Sequence, residues 1–193
     1  MSTAPQVNQT YTYKDYQHWP EDEHWELIDG VAYSMTAPAR IHQKIVLELG
    51  RQISNFLQGK TCEVYVAPFA VRLPKHQEAD DQIDTVVEPD VSVICDLNKL
   101  DEAGCRGAPD WIIEVLSPST TFKDMHTKRN LYEKVGVREY WIVQPTESWV
   151  MIYLLDAHGQ YGKPELFKLE AVSPVSVFPA LLIDWSFLNL ATQ

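Results

Sequence analysis

The chain has 193 residues, of which 45% are hydrophobic and 22% are charged, and its formal net charge at pH 7 is −11. This length and apolar content favour one α/β domain over residues 12–193, preceded by a flexible segment over residues 1–11. No run of about eighteen apolar residues could span a membrane, and no basic-then-apolar leader pattern occurs. We therefore expect a cytoplasmic protein with no membrane-embedded part.

The first half of the chain reads as short strands around one long helix. Asp29-Gly30 is a typical turn pair inside an early hairpin, and Ile41, Ile45, Leu49 and Ile53 form the apolar stripe of an amphipathic helix. The predicted elements are a hairpin over 25–35, a helix over 39–57, strands over 62–66 and 70–73, and a loop over 75–85.

Two carboxylates mark the predicted central strands. Asp90 begins an alternating strand over 90–95, and Glu114 interrupts an apolar run over 111–116 that is typical of a strand covered on both faces. Taken alone, Glu114 fits a structural or a functional role equally, and Asp90 fits ordinary turn chemistry. Together on neighbouring strands, the two side chains could hold a divalent cation such as Mg²⁺ or Mn²⁺ through oxygen ligands.

A helix is predicted to follow, starting from the Ser-Pro-Ser-Thr-Thr segment at 117–121 and ending before Gly136. Asp124, Lys128 and Tyr132 recur at four-residue spacing and therefore share one helix face. A solvated Asp-Lys pair would also explain the first two residues. We favour a functional role for Lys128, whose ammonium group could stabilise charge on a phosphate, whereas Asp124 could equally be a partner of the helix dipole.

The remainder predicts strands over 139–143 and 149–155 and a closing hairpin-like segment. Cys62, Cys95 and Cys105 lack CxxC spacing, so we interpret all three as reduced thiols rather than as a disulfide framework or a zinc site. Large aromatic side chains usually pack in cores or interfaces, and we assign to that role Trp19, Trp111, Trp141, Trp149 and Trp185.

As one set, these motifs resemble the Uma-two family of restriction-endonuclease-like proteins, within the PD-(D/E)XK nuclease superfamily. The motifs are Trp25-Glu26-Leu27-Ile28-Asp29-Gly30, Pro38 to His42, Pro89-Asp90, Glu114-Val115-Leu116-Ser117-Pro118-Ser119-Thr120, Asp124, Lys128, Tyr132, Gly136-Val137 and Glu139-Tyr140-Trp141. The resemblance covers about residues 12–188. It implies a mixed β-sheet flanked by helices, and a DNA endonuclease that uses Mg²⁺ or Mn²⁺. The catalytic residues it implies are Asp90, Glu114 and Lys128, with the two carboxylates as metal ligands.

Two positions depart from the superfamily pattern. The usual lysine lies two residues after the strand carboxylate, where this chain has Leu116. Either the lysine has moved to Lys128 on the helix, or cleavage has been lost. Gln144 stands where the pattern has Asp, a residue that could help to position the metal or the substrate for full activity.

His42 and Glu26 are further candidates for supporting roles, beside Asp124 and Tyr132. His42 begins the first long helix, where an imidazole could orient water or contact phosphate, or simply be partly solvated. Glu26 lies in an alternating strand, and we interpret it as that strand's solvent side rather than as a group that supports the site.

Three functions are consistent with the sequence. The first is a metal-dependent DNA endonuclease, for which double-strand cutting would favour a homodimer. The second is a nuclease fold that binds nucleic acid or protein without cutting, which Leu116 and Gln144 would explain. The third is a metal-dependent hydrolase of a small phosphorylated molecule, which the acidic charge would suit, because nucleic-acid affinity depends on basic surface. A basic cluster near the proposed cleft favours the first, and consists of Lys123, Lys128, Arg129, Lys134 and Arg138.

Overall fold

The structure, a computed structural model, describes residues 5, 9–20, 22–118 and 120–188. Its helices and strands, in chain order, are α1 (Tyr13–Tyr16), β1 (Trp25–Ile28), β2 (Val31–Ser34), α2 (Arg40–Leu57), β3 (Glu63–Val66), β4 (Val71–Arg72), β5 (Val86–Val87), β6 (Val91–Ile94), β7 (Leu100–Asp101), β8 (Gly104–Arg106), β9 (Trp111–Val115), a π-helical segment (Lys123–Lys128), α3 (Arg129–Val135), β10 (Glu139–Gln144), β11 (Trp149–Leu154), β12 (Glu165–Lys168), β13 (Val172–Pro174) and β14 (Leu182–Asp184).

Six strands form a mixed sheet, here called the central sheet, in the order β12-β11-β10-β9-β6-β3. Strands β9 and β10 are parallel and the other neighbours are antiparallel. Because side chains alternate along a strand, Ile113 and Val115 join the core on one face of β9, while Ile112 joins the core on the other. The same alternation places Glu114 on the Ile112 face.

Helix α2 covers the first of these faces. Its apolar stripe, which includes Ile45, Leu49 and Ile53, is fully buried against Ile113 and Trp111 of the central sheet. Burial of this stripe is the main reason why the segment is helical, since most helical stability comes from packing of an amphipathic face.

A second six-stranded sheet covers the opposite face together with α3. Its order is β2-β1-β5-β4-β8-β7, and we call it the second sheet. Ile28 and Val87 of this sheet and Tyr132 of α3 pack with Ile112 and Tyr140 of the central sheet. Groups on the second sheet and on α3 are therefore brought to the Glu114 side of the central sheet.

Arg72 fixes the loop over 75–84 to the second sheet. Its side chain is only 2% exposed, and its guanidinium donates to the carboxylates of Asp80 and Asp101. Arg106 donates to Asp80 as well, and Lys75 pairs with Asp84. A buried cation needs such partners, so the loop is held by charge pairs.

Much of the predicted architecture is confirmed. The early hairpin turns at Asp29-Gly30, where both residues have positive φ, and α2 begins at Arg40 and ends at Leu57 as expected. Gly136 caps α3 in the left-handed conformation. Trp111 and Trp141 are fully buried. In the second sheet, β1, β2 and β4 were predicted, whereas β5, β7 and β8 are additions, because each has only two or three residues.

The interpretation of the cysteines as three reduced thiols is wrong for two of them. Cys62 and Cys95 form a disulfide, and Cys105 is a buried free thiol. The pairing follows from the sheet register, in which Glu63 lies opposite Ile94 on antiparallel strands. Cys62 and Cys95 are the next residues outward and therefore face each other across β3 and β6.

The predicted N-terminal segment is described only in part. Residues 1–4 and 6–8 of it lie outside the described residues, and Tyr11 at its end is buried. Among the helices that the structure describes, none is long and apolar enough to cross a membrane.

Candidate active site

A cavity of about 810 Å³ opens where the start of β6, the end of β9, the start of α2 and the π-helical segment meet. All the predicted site residues except Tyr132 line it, namely Glu26, His42, Asp90, Glu114, Asp124 and Lys128. Tyr132 is fully buried and lies behind Glu114. The fold thus brings together the whole set that the sequence selected.

Asp90 is held by its neighbours on two elements. The backbone N–H of Val115 donates to Asp90 Oδ2 at 2.7 Å, and His42 Nε2 lies 3.1 Å from the same oxygen. Burial alone would lower the pKa of His42, but the hydrogen bond and the charge of Asp90 raise it above its ordinary value. His42 is therefore a partner of Asp90 rather than a partly solvated helix-start residue.

Glu114 is 3% exposed and accepts two hydrogen bonds on one oxygen. Lys128 Nζ and the Tyr132 hydroxyl both donate to Glu114 Oε1 at 2.8 Å. The pKa of Glu114 is raised to about 8, chiefly by burial, with smaller contributions from the charges of Asp124 and Asp90, while Lys128 opposes the increase. The strand carboxylate is thus oriented by α3 and its preceding segment.

Lys128 lies inside the cavity wall, not in bulk solvent. Its Nζ is 2.6 Å from Glu26 Oε1, 2.8 Å from Glu114 Oε1 and 3.7 Å from Asp124 Oδ1. Burial alone would lower the pKa of Lys128, but these carboxylates raise it well above its ordinary value. The ammonium group is therefore permanently charged and points at the strand carboxylate.

The interpretation of Glu26 as the solvent side of its strand is wrong. Glu26 is fully buried, because the π-helical segment covers that face of β1. Its Oε1 accepts from Lys128 and from the backbone N–H of Glu88, and its Oε2 accepts from Lys123 at 2.6 Å. Burial raises the pKa of Glu26, but Lys128 and Lys123 outweigh it and lower the pKa overall.

Asp124 is buried rather than placed as an exposed dipole partner. Its Oδ1 has no hydrogen-bond partner, and burial raises its pKa.

At the two departures from the superfamily pattern, Leu116 is packed in the core between the sheets, and Gln144 accepts from the backbone N–H of Thr146. Position 116 is therefore apolar and buried, and the cation beside Glu114 is Lys128.

The donor chemistry of the cavity fits a hard divalent cation. Asp90 and Glu114 offer carboxylate oxygens, and Asp124 Oδ1 is a buried acceptor that makes no hydrogen bond and lies 3.7 Å from the ammonium group of Lys128. Across the described ranges, no group of three or more His, Cys, Asp or Glu side chains is already arranged to hold a metal ion. Mg²⁺ commonly takes only one or two carboxylates and completes its shell with water and substrate phosphate, so two protein ligands suffice.

Glu88 was not selected from the sequence as a site residue, and Lys123 was placed near the cleft only as a member of the basic cluster. Glu88 accepts from the Tyr16 hydroxyl at 2.8 Å, and Lys123 pairs with Glu26. Lys123 belonged to the predicted basic cluster, but its carboxylate partner lies 97 residues away in the chain. No local pattern indicates a pairing over that distance.

The fold and the cavity define a restriction-endonuclease-like α/β protein, and comparisons with known proteins give the family. The family model Uma2, described as "Putative restriction endonuclease", matches residues 13–191. The chain belongs to this family.

The chain is also similar to one further protein sequence and to one solved structure. An "Uncharacterized protein" of Synechocystis sp. is 28% identical over 151 residues, which are 77% of this chain and 76% of the relative. The crystal structure of a "putative nuclease belonging to DUF820" from Anabaena variabilis superposes with a TM-score of 0.72 at 21% identity, over 92% of this chain and 96% of that chain. At this identity, the second likeness establishes the fold.

Proposed function

We propose that this protein is a divalent-metal-dependent endonuclease that hydrolyses phosphodiester bonds in DNA. The observation that carries the proposal is the Lys128 ammonium group, 2.8 Å from Glu114 Oε1, in a cavity that Asp90 also lines. Its family, described as "Putative restriction endonuclease", supports the same reaction class.

In this proposal the residues have separate tasks. Asp90 and Glu114 hold Mg²⁺ or Mn²⁺, which supplies Lewis-acid polarisation of the phosphate. Lys128 stabilises the charge that develops on the phosphate oxygens in the transition state. His42 orients Asp90, and Tyr132 orients Glu114 by its hydrogen bond. Asp124 adds a third buried carboxylate that keeps the ammonium group of Lys128 charged.

A second candidate is hydrolysis of a small phosphorylated molecule. The cavity lining also contains Asp22, Glu23 and Glu88, and such acidic groups oppose a polyanion more than a small ligand. Assays on supercoiled plasmid, single-stranded DNA, RNA and a small phosphodiester in Mg²⁺ or Mn²⁺ separate the two functions. Turnover of the small ester alone would favour this second candidate.

Substitution of Lys128 tests whether the catalytic lysine has moved to the helix or has been lost. We expect Lys128→Ala to reduce cleavage by about 100-fold or more, because charge stabilisation in the transition state is lost. Calorimetric titration above about pH 8, where ionisation of Glu114 no longer limits metal binding in the parent, should show a much smaller change in metal affinity than in cleavage, since Lys128 acts on the phosphate. Glu114→Ala should remove both metal binding and cleavage.

Lys134→Ala is the matched control, because Lys134 is exposed on the same helix and does not line the cavity. Thermal unfolding of each variant checks the fold, since Lys128 is buried. A folded Lys128→Ala protein that cuts as well as the parent would exclude the moved-lysine mechanism and favour a binding protein.

A further inference from the structure

Lys123 is the second lysine of the cavity, and the proposed mechanism leaves it without a task. Its Nζ is 2.6 Å from Glu26 Oε2 and 5.6 Å from the ring centre of Tyr33. Its side chain is 14% exposed, whereas that of Lys128 is 3% exposed. Both lysines line the cavity, so Lys123 lies nearer to the solvent and Lys128 deeper.

The π-helical segment explains why both lysines reach one carboxylate. In a regular α-helix, residues five apart point about 140° away from each other. Here the backbone N–H of Arg129 donates to the carbonyl of Asp124, five residues before it. This wider turn brings Lys123 and Lys128 to the same side, and such turns often occur at functional sites.

Glu26 lies between the two ammonium groups and pairs with both. Each of its oxygens accepts from a different lysine at 2.6 Å. The backbone N–H of Glu88 also donates to Oε1, which fixes the orientation of the carboxylate. One lysine would be enough for an ion pair that links β1 to the helix. Here two lysines pair with Glu26, and both line the cavity.

We propose that Lys123 is a second phosphate-binding residue, which contacts the phosphate next to the scissile one, and that Glu26 positions both lysines for this task. The inference rests on the proposed nuclease function and extends it from the reacting phosphate to its neighbour along the strand. It assigns Lys128 to the transition state and Lys123 to binding of the nucleic acid.

The test compares kinetics and binding. Lys123→Met should raise KM for an oligonucleotide roughly tenfold, the loss expected for one charge-assisted contact, and leave kcat within about threefold. Lys123→Arg should restore KM. Glu26→Gln should raise KM and also lower kcat, because both lysines lose their partner. Lys163→Met is the control, since Lys163 is exposed and does not line the cavity.

A binding measurement avoids any dependence on turnover. In the Lys128→Ala background, the affinity for a fluorescently labelled duplex in Mg²⁺ is measured by anisotropy at several salt concentrations. Adding Lys123→Met should weaken binding and reduce the slope of log K against log salt by about 0.9, the value for one phosphate.

The outcomes distinguish this inference from the nuclease function. If the parent cuts DNA but Lys123→Met changes neither KM nor the salt slope, the second phosphate contact is wrong and the nuclease stands. The contact is equally wrong if Lys123→Met and Lys123→Arg lose activity together with thermal stability, since Lys123 then serves the fold. If the parent cuts no nucleic acid at all, the nuclease proposal fails, and the inference fails with it.

Discussion

At the scale of single residues, the site depends on how charge is distributed among buried carboxylates. Glu26 shares two lysines, whereas Glu114 shares one and lies near Asp124 and Asp90. The lysines accordingly lower the pKa of Glu26 despite its burial, whereas the burial of Glu114 outweighs its single lysine and raises its pKa. Glu114, which is expected to bind metal, is therefore less stabilised as an anion by the protein alone than Glu26 is.

This difference predicts how metal affinity depends on pH. Glu114 must lose its proton to bind an ion, and its pKa is about 8, so Mg²⁺ binding near pH 7 should release a proton from it. Affinity should rise with pH up to about 8 and then level off. In the metal-free protein, the contribution of Glu114 to stability should be complete below about pH 4.5 and lost as pH rises through about 8.

Titration calorimetry at pH 6, 7 and 8, in buffers with different ionisation enthalpies, counts the released protons. His42→Asn is the control, because the pKa of His42 is raised as well and this residue could release a proton next to Asp90. Affinity that does not vary between pH 6 and 8 in that variant would exclude Glu114 as the titrating ligand.

The site was largely predictable from sequence where a residue conflicts with its local surroundings. Glu114 breaks an apolar strand, and Lys128 shares a helix spacing with Tyr132, so both stand out locally. Glu26 does not, because its strand alternates normally and its lysine partners lie about 100 residues later. Contacts between distant segments depend on the packing of the second sheet, which local patterns do not encode.

At the scale of elements, length decided which strands could be predicted. Strands β9 and β10, with five and six residues, carry enough apolar side chains to be recognised. Strands β5 and β7 have two residues each, too few to display a period. The disulfide was missed for a related reason, since it follows from the pairing of β3 with β6 and not from the spacing of cysteines.

The disulfide gives a prediction at this scale. In denatured but unreduced protein, one thiol should react with an alkylating reagent, and after reduction three should react, as counted by mass spectrometry. Cys62→Ser should lower the free energy of unfolding by roughly 3 to 4 kcal/mol, because the cross-link closes a long loop in the unfolded chain. Cys105→Ser is the control that leaves the cross-link intact. Three reactive thiols before reduction would disprove the cross-link.

At the scale of the whole molecule, the two sheets share one core and should not unfold separately. Cluster residues such as Ile28 and Val87 of the second sheet pack directly on Ile112 and Tyr140 of the central sheet. Losing either sheet would expose this apolar surface, so we expect a single cooperative transition in urea.

Far-ultraviolet circular dichroism and tryptophan fluorescence measure this cooperativity. Trp19 and Trp25 belong to the second-sheet side, so the fluorescence is measured in a Trp19→Phe, Trp25→Phe variant. There it reports on the central sheet, where Trp111, Trp141 and Trp185 are buried on the α2 side, while circular dichroism reports on all the helices and strands. The two unfolding curves should coincide. A circular-dichroism change that precedes the fluorescence change would indicate that the second sheet unfolds first.

The charge pairs around Arg72 bear on the electrostatic potential that the proposed DNA substrate would meet. The acidic loop over 75–84 is described throughout, and none of its residues lines the cavity. Its Asp80 and Asp84 are paired with Arg72, Arg106 and Lys75, so they contribute local dipoles more than uncompensated negative charge. Since potentials decay within about 8 Å at physiological ionic strength, the charge of −11 overstates the repulsion at the cavity mouth. Under the proposed nuclease function, we therefore expect entry of the polyanion to depend on Lys123 and the few acidic groups beside it.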